Sequence, residues 1–477
     1  MTQKYDIGII GLAVMGQNFV LNIESNGHSV AVYNRTASRT ENFVAQRAEN
    51  KQVKPTYSLE ELVNSLSRPR KVMLMVKAGR PVDIVIDNLI PLLEEDDIII
   101  DGGNSYFKDT ERRHQKLKEK GIRYLGTGIS GGEYGALHGP SIMPGGDETA
   151  YSEVEDIFTD VAARTEDGPC VTYLGPRSAG HYVKMVHNGI EYGVMALLSE
   201  VYDIMRKVLD MEPEEMSKYF RQWDEYHQSY LVEITYEILD RKDEETGKPL
   251  IDIILDRAKQ KGTGKWSAQD ALDLGIPVPT INAAVNARAL SAVKDERQVI
   301  GDEFGGLVES AVEEIKKDTD FIKKLEDALY SGIVIAYAEG LKLLQEASRE
   351  YDYNLNLAEI ARIWEDGCII RSALLKPIQK AFKEDEDLIN LIMSSQFKDE
   401  IKDKVRGLRE TAVAAKTAGI PVPAMNAALD YFDIIRAKEM PANLIQGQRD
   451  YFGAHTYERR DKEGTFHTEW QDIHNIE

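Results

Sequence analysis

Cysteine is nearly absent from this chain. Cys170 and Cys368 are the only two in 477 residues, and neither sits in a CxxC or other metal-ligand spacing. Nothing in that pattern supports a disulfide framework or a structural zinc site. It suits two core thiols in a reducing compartment. Basic charge is also in deficit, with 58 Lys and Arg against 80 Asp and Glu and a net charge of −22. A balance this acidic argues against nucleic acid or an anionic membrane as partner. An anionic small substrate would need a local basic pocket set against the overall field. No uncharged run approaches the length of a membrane-spanning helix, and the first fifteen residues lack a secretion-signal layout. A cytoplasmic protein is expected.

What is present is ordinary globular composition, 42% hydrophobic and 29% charged, over a length that calls for two to three domains. The first part alternates strand and helix patterns. Apolar strand-length runs occur at Tyr5–Ile10, Ser29–Tyr33, Lys71–Val76, Asp97–Asp101, Gly121–Gly126 and Cys170–Leu174, and Pro81–Glu94 has helical periodicity. This alternation predicts a parallel, doubly wound sheet spanning 1–177. From 178 to 440 helical periodicities dominate, and the region contains an internal repeat. Gly275-Ile-Pro-Val-Pro279 with Asn282 returns as Gly419-Ile-Pro-Val-Pro423 with Asn426, at an offset of 144. Near the same offset Asn188–Tyr192 faces Ser331–Ile335, so a duplicated helical unit is expected. Residues 441–477 form a tail rich in His, Arg and aromatics. It is too polar to pack alone and too aromatic for a linker, and it is expected to dock on its own body or on a partner subunit.

Gly11-Leu12-Ala13-Val14-Met15-Gly16 follows the first strand and opens the first helix. It matches the dinucleotide fingerprint with Ala13 in the second glycine position, placing a pyrophosphate at the helix N-terminus. The second strand ends in Asn34-Arg35-Thr36. A guanidinium and a hydroxyl there, with no carboxylate, favour the 2′-phosphate of NADP over NAD. Val76-Lys77-Ala78 and Asp101-Gly-Gly-Asn104 each follow a strand at the end where ligands bind in open sheets, as candidate cofactor residues, and Asn104 can orient either a substrate hydroxyl or the nicotinamide amide. Ser130-Gly131-Gly132 offers a hydroxyl and exposed amides suited to a carboxylate. Each of these loops, taken singly, also reads as an ordinary turn.

Lys261-Gly-Thr263-Gly-Lys-Trp266 is a basic, glycine-rich loop without P-loop spacing. Its ammonium, hydroxyl and amides suit a phosphate, and Arg288, Arg449 and His455 could complete such a site. Lys184, Asn188 and Glu191 fall at i, i+4 and i+7, so a helix places a base candidate, an amide and an acid candidate on one face. The flanks are apolar, and ionisable groups on a buried helix are costly unless paired or used. A core helix whose Lys184 and Glu191 face solvent or pair with neighbours is the competing reading. The second copy carries Ser331 and Val334 in place of Asn188 and Glu191, which suggests chemistry confined to the first.

With these residues assembled, the chain closely resembles the 6-phosphogluconate dehydrogenases over essentially its whole length. The resemblance rests on Gly11–Asn18, Asn34–Thr36, Asp101–Ser105, Ser130–Glu133, His181–Tyr192, Lys261–Trp266 and the tail through Arg449 and His455. It implies a Rossmann-type domain, a large duplicated all-helical domain, and a tail that enters the other subunit of a homodimer. It implies oxidative decarboxylation of 6-phosphogluconate with NADP and without a metal, as in the pentose phosphate pathway. Lys184 would be the general base and Glu191 the acid that protonates the enediol. Asn104, Ser130, His187 and Asn188 would hold the sugar acid. Tyr192, Lys261, Thr263 and Arg288, with Arg449 and His455 of the neighbour, would hold the phosphate. The chain departs from the family pattern at Tyr134, Val194 and Ala196. A related 3-hydroxy acid dehydrogenase and a non-catalytic NADP-binding sensor are the alternatives. The Lys261 loop, the duplication and the tail argue against the first, and the intact Lys184, Asn188 and Glu191 against the second.

Overall fold

The computed structural model describes residues 3–260 and 262–470. They fall into two compact units divided between Ala428 and Leu429. The first opens with a seven-stranded sheet: β1 (Ile7–Ile10), β2 (Val30–Tyr33), β3 (Val53–Thr56), β4 (Lys71–Leu74), β5 (Ile98–Asp101), β6 (Arg123–Ile129) and β7 (Ile142–Gly146). The order is β3-β2-β1-β4-β5-β6-β7. The first six strands are parallel, with Ile7 opposite Val30 and Lys71 opposite Ile98. Both faces are covered, which is why the strands read as unbroken apolar runs. Ile7, Ile9, Val32 and Ile100 pack with Phe19 and Phe158 on one face. Ile10, Ala31, Leu74 and Ile99 pack with Leu62, Val82 and Ile86 on the other. Helix α1 (Val14–Ser25) follows β1, α2 (Ala37–Arg47) follows β2, and α3 (Phe107–Lys118) follows β5.

The sheet departs from the sequence reading in three places. β3 was not anticipated, because Pro55 within it removes a ladder donor, and such a strand is tolerated only at an edge. Met143–Gly146, outside the expected strand runs, lies in β7, which runs antiparallel to β6. Cys170–Leu174, expected as a strand, is not one. Val171 makes a single bridge to Ile142, and Leu174 N–H reaches the carbonyl of Pro144. Pro144 has no N–H to return, so no ladder forms.

Beyond Ser178 the first unit is helical. Its elements include α4 (Ala179–Lys207), α5 (Thr263–Asp273), α6 (Pro279–Ala292), α7 (Phe321–Glu350) and the start of α8 (Pro423–Ile435). The repeat is visible in pairs: α4 with α7, and α6 with α8. α4 and α7 pack antiparallel, with Ile190 against Gly340 and Leu197 against Gly332. Pro279 and Pro423 open α6 and α8, where their fixed φ suits the first helical turn. The long helix of each copy caps the short helix of the other. Glu339 of α7 accepts from Thr280 N–H at 3.0 Å and Ile281 N–H at 3.2 Å. Glu200 of α4 accepts from Ala424 N–H at 2.6 Å and Met425 N–H at 2.9 Å. Among the described residues, no helix is long and apolar enough to cross a membrane.

The second unit contains α9 (Ala442–Gly453) and an antiparallel pair, Tyr457–Glu458 with Thr465–Phe466. Its order comes from a polar hub. The buried carboxylate of Asp450 accepts from Thr456 N–H, Thr468 N–H, His467 Nδ1 and Trp470 Nε1.

Candidate active site

The carboxyl ends of β1, β2, β4 and β5 bring the sequence-predicted cofactor residues to one edge of the sheet, at the reversal of strand order between β1 and β4. Gly11 has φ +107°, and a Cβ there would lie 2.5 Å from Met75 O, so the turn admits only glycine. Ala13 is the N-cap of α1 and supplies no side-chain cap, so the first-turn amides, including those of Val14 to Gly16, gain no partner from it. Such an end attracts phosphate. Asn34 turns inward: its Oδ1 accepts from Leu12 N–H at 3.1 Å and its Nδ2 donates to Thr36 O at 3.1 Å. It organises the fingerprint turn, while Arg35 and Thr36 stand exposed ahead of α2. Val76 and Ala78 are half-buried and Lys77 is exposed after β4; Asn104 is exposed after β5. This donor set fits a dinucleotide carrying a 2′-phosphate.

Lys184 lies on α4 against β6. A Cβ on Gly128 would sit 2.4 Å from Lys184 Cβ, so the helix rests directly on the strand backbone. The side chain is buried. Burial brings the amine down from 10.5 to about 8, with the negative charge of Glu191 partly holding it up. Around it runs a chain of short contacts. Ser130 Oγ lies 3.1 Å from His187 Nε2, His187 Nδ1 lies 3.0 Å from Asn188 Oδ1, and Asn188 Nδ2 donates to Thr263 Oγ1 at 2.9 Å. The last bond orients the Asn188 amide, so His187 Nδ1 carries the proton and Nε2 accepts from Ser130. Burial, with help from Lys184, drives the His187 pKa well below its ordinary value and keeps the ring neutral. Lys184 Nζ is 3.4 Å from His187 Nδ1. Because the single proton on that nitrogen is given to Asn188 Oδ1, the lysine lone pair is left for another proton. Glu191 Oε2 stands 3.8 Å from the same ring nitrogen. The i, i+4, i+7 face therefore points inward, and the competing reading of solvent-facing side chains does not hold for Lys184.

One wall was not anticipated. Residues 364–370 pack against this cluster from a distant part of the chain. Trp364 packs edge-on to His187 with ring centres 5.5 Å apart. Ile369 N–H reaches Ser130 Oγ at 3.4 Å. Cys368, buried with its thiol pushed up to about 12 by burial, lies within electrostatic reach of Lys184. Gly367 in a turn of mixed polarity was the only sequence signal here.

The phosphate candidates divide. Thr263 opens α5 beside Asn188, and the Arg288 guanidinium lies 3.5 Å over the Tyr192 ring. Gly131 and Gly132 lead from Ser130 into the short helix Gly132–His138. Lys261 lies outside the described residues. Arg449 and His455 lie in the second unit, both exposed, with Arg449 donating to Gln446. Of the departures from the family pattern, Tyr134 is exposed, Val194 buried and Ala196 half-buried.

A doubly wound sheet with a dinucleotide turn, joined to a helical region that carries a buried lysine, defines a nicotinamide-dependent dehydrogenase of two-domain type. Residues 6–175 match the NAD binding domain of 6-phosphogluconate dehydrogenase, and residues 180–470 match the 6-phosphogluconate dehydrogenase C-terminal domain. The chain belongs to the 6-phosphogluconate dehydrogenase family. It is 52% identical to the NADP(+)-dependent, decarboxylating 6-phosphogluconate dehydrogenase of Bacillus subtilis, over 98% of this chain and 99% of that one. It is 51% identical to the decarboxylating 6-phosphogluconate dehydrogenase of Synechococcus elongatus, over 97% and 98%. A solved 6-phosphogluconate dehydrogenase of Plasmodium falciparum, described in apo form and in complex with NADP+ and with 6-phosphogluconate, superposes with a TM-score of 0.93 at 47% identity, covering 98% of this chain and all of that one.

Proposed function

We infer that this chain catalyses the NADP-dependent oxidative decarboxylation of 6-phospho-D-gluconate to D-ribulose 5-phosphate and carbon dioxide, in the pentose phosphate pathway. The observation that carries the reading is Lys184: a buried amine lowered to about 8 and bracketed by a neutral histidine and an oriented amide. NADP, held by the Gly11–Gly16 turn, Asn34–Thr36, Val76–Ala78 and Asn104, supplies the hydride acceptor. Lys184 takes the proton of the C3 hydroxyl as C3 is oxidised. The resulting ammonium polarises the new carbonyl, so the carboxylate leaves as carbon dioxide and its bonding pair forms the enediol. Glu191, which carries a proton at this stage, delivers it to C1 of the enediol, and Lys184, which keeps the proton taken from the C3 hydroxyl, returns one to Glu191 for the next turnover. These roles follow general acid–base logic.

Asn104, Ser130, His187 and Asn188 are assigned to the sugar acid. Tyr192, Lys261, Thr263 and Arg288 are assigned to the phosphate, with the partner subunit's Arg449 and the partner subunit's His455. The homodimer this requires has support in apolar side chains left exposed in both units: Val299 and Phe304 in the first, Leu444 and Phe452 in the second. On this reading 1–177 binds cofactor, 178–440 binds substrate and the second copy, and 441–477 reaches the partner. The cytoplasm is the matching compartment, with both cysteines free and buried.

The test is to mix the protein with 6-phosphogluconate and either NADP or NAD, and to follow absorbance of the reduced nicotinamide and release of carbon dioxide. Fast reduction with NADP and slow reduction with NAD is expected. Folded protein that binds NADPH yet reduces neither cofactor would overturn the reading.

A further inference from the structure

We propose that Arg113 is a positioning residue that clamps the loop after β4 to the loop after β5, and so sets the nicotinamide half of the cofactor site. Arg113 lies on α3 and is fully buried, with no surface for a ligand. Its fork reaches both loops at once. Nη2 donates to Gly79 O at 3.0 Å, at the end of the Val76-Lys77-Ala78 segment. Nη1 donates to Ser105 Oγ at 3.1 Å and Asp101 Oδ2 at 3.3 Å, on either side of Asn104. Nε donates to Asp83 Oδ1 at 2.8 Å, which anchors the fork. Asp101 also accepts from Ser105 Oγ at 2.6 Å, Gly103 N–H at 3.1 Å and Tyr124 OH at 3.2 Å.

The two loops touch where a Cβ on Gly103 would lie 3.1 Å from Val76 O. Their spacing therefore depends on whatever holds Gly79 and Ser105 together. A guanidinium presents donors in a rigid planar fork, whereas an ammonium is a single point and cannot span these partners. The same helix reaches the lysine-bearing helix, because Thr110 Oγ1 lies 2.7 Å from His181 Nδ1, one turn before Lys184. By contrast, Arg35 and Thr36, at the adenosine 2′-phosphate end, share no bond with Arg113.

The inference rests on the reading that these loops hold NADP, and a half-cofactor probe separates the two. Two variants are compared with wild type in the full-length protein: Arg113→Lys, and Arg113→Met combined with Asp101→Asn so that no buried carboxylate is left unpaired. NADPH and adenosine 2′,5′-bisphosphate are titrated into each, with kcat, KM and thermal midpoint measured alongside. Loss of one charge-assisted tie should weaken NADPH by roughly tenfold, with KM for NADP rising in step, while adenosine bisphosphate binds as before. Arg112→Met, which removes an exposed arginine that also bonds Asp83, should leave both affinities unchanged. Equal weakening of both ligands would mean general loosening and overturn the proposal. A lowered thermal midpoint with both affinities intact would reduce Arg113 to a structural role and overturn it equally. Wild-type protein that binds NADPH but does not oxidise 6-phosphogluconate would sink the functional reading, while the fragment comparison still decides on Arg113.

Discussion

The oxidation rate of this enzyme should follow the deprotonation of Lys184. Burial brings that amine from 10.5 to about 8. At pH 7.5 an amine of ordinary value is neutral in about one molecule in a thousand, and one near 8 in about one in four, so burial raises the available base by roughly 250-fold. The shift corresponds to roughly 3 kcal/mol of destabilised ammonium, at about 1.4 kcal/mol per unit. The assay is kcat/KM for 6-phosphogluconate against pH at saturating NADP, which reports the enzyme–NADP form before the sugar acid binds. The rate should climb tenfold per pH unit and level off above about pH 8. The phosphate of the substrate titrates near pH ~6 and is a separate feature. Glu191→Gln removes the charge that holds the lysine proton, so the limb should move to lower pH even as turnover falls. Stability responds in the window above that limb. Below about pH 8 the folded chain bears a buried ammonium; between about 8 and 10.5 the unfolded chain binds the extra proton, so stability rises with pH. Lys184→Met should therefore be inactive yet more heat-stable near neutrality. A limb centred near the ordinary lysine value, or one that moves upward in Glu191→Gln, would refute the reasoning.

Three further outcomes are expected. Gly128→Ala places a methyl carbon 2.4 Å from Lys184 Cβ, and a displacement of about 1 Å at the base should lower kcat by roughly 100-fold in folded protein; a loss under tenfold would contradict this close packing. Glu339, raised to about 8 by burial against the bonds from Thr280 and Ile281, keeps its proton when folded from 4.5, its ordinary value, up to about 8. The unfolded chain binds fewer protons in that window, so stability falls as pH rises through it, and Glu339→Gln should flatten the thermal midpoint against pH; an unchanged slope would argue against it. Arg35→Ala should raise KM for NADP by roughly 10-fold or more and leave NAD nearly unaffected, as expected for a lost phosphate contact; equal effects on both cofactors would place the selectivity elsewhere.

Much of this protein is written locally. The Gly11–Gly16 turn is legible because φ +107° at Gly11 and an uncapped helix end are properties of a few neighbouring residues. Lys184 and Asn188 share a face because the helix period is itself local. The repeat shows because Pro279 and Pro423 each start a helix by fixing φ. Other features depend on partners far off in sequence. Whether Lys184 is a buried amine or a surface ammonium turned on packing, supplied by β6 and by residues 364–370. The amide of Asn188, and through it the tautomer of His187, is set by Thr263, 75 positions after Asn188, while Ser130, 57 positions before His187, meets the other ring nitrogen. β7 and the failed strand at Cys170–Leu174 followed from which neighbour could return a hydrogen bond. Spacing along the chain determined which chemical groups would face together. Tertiary structure alone decided which were desolvated and which found partners, because those terms depend on long-range neighbours.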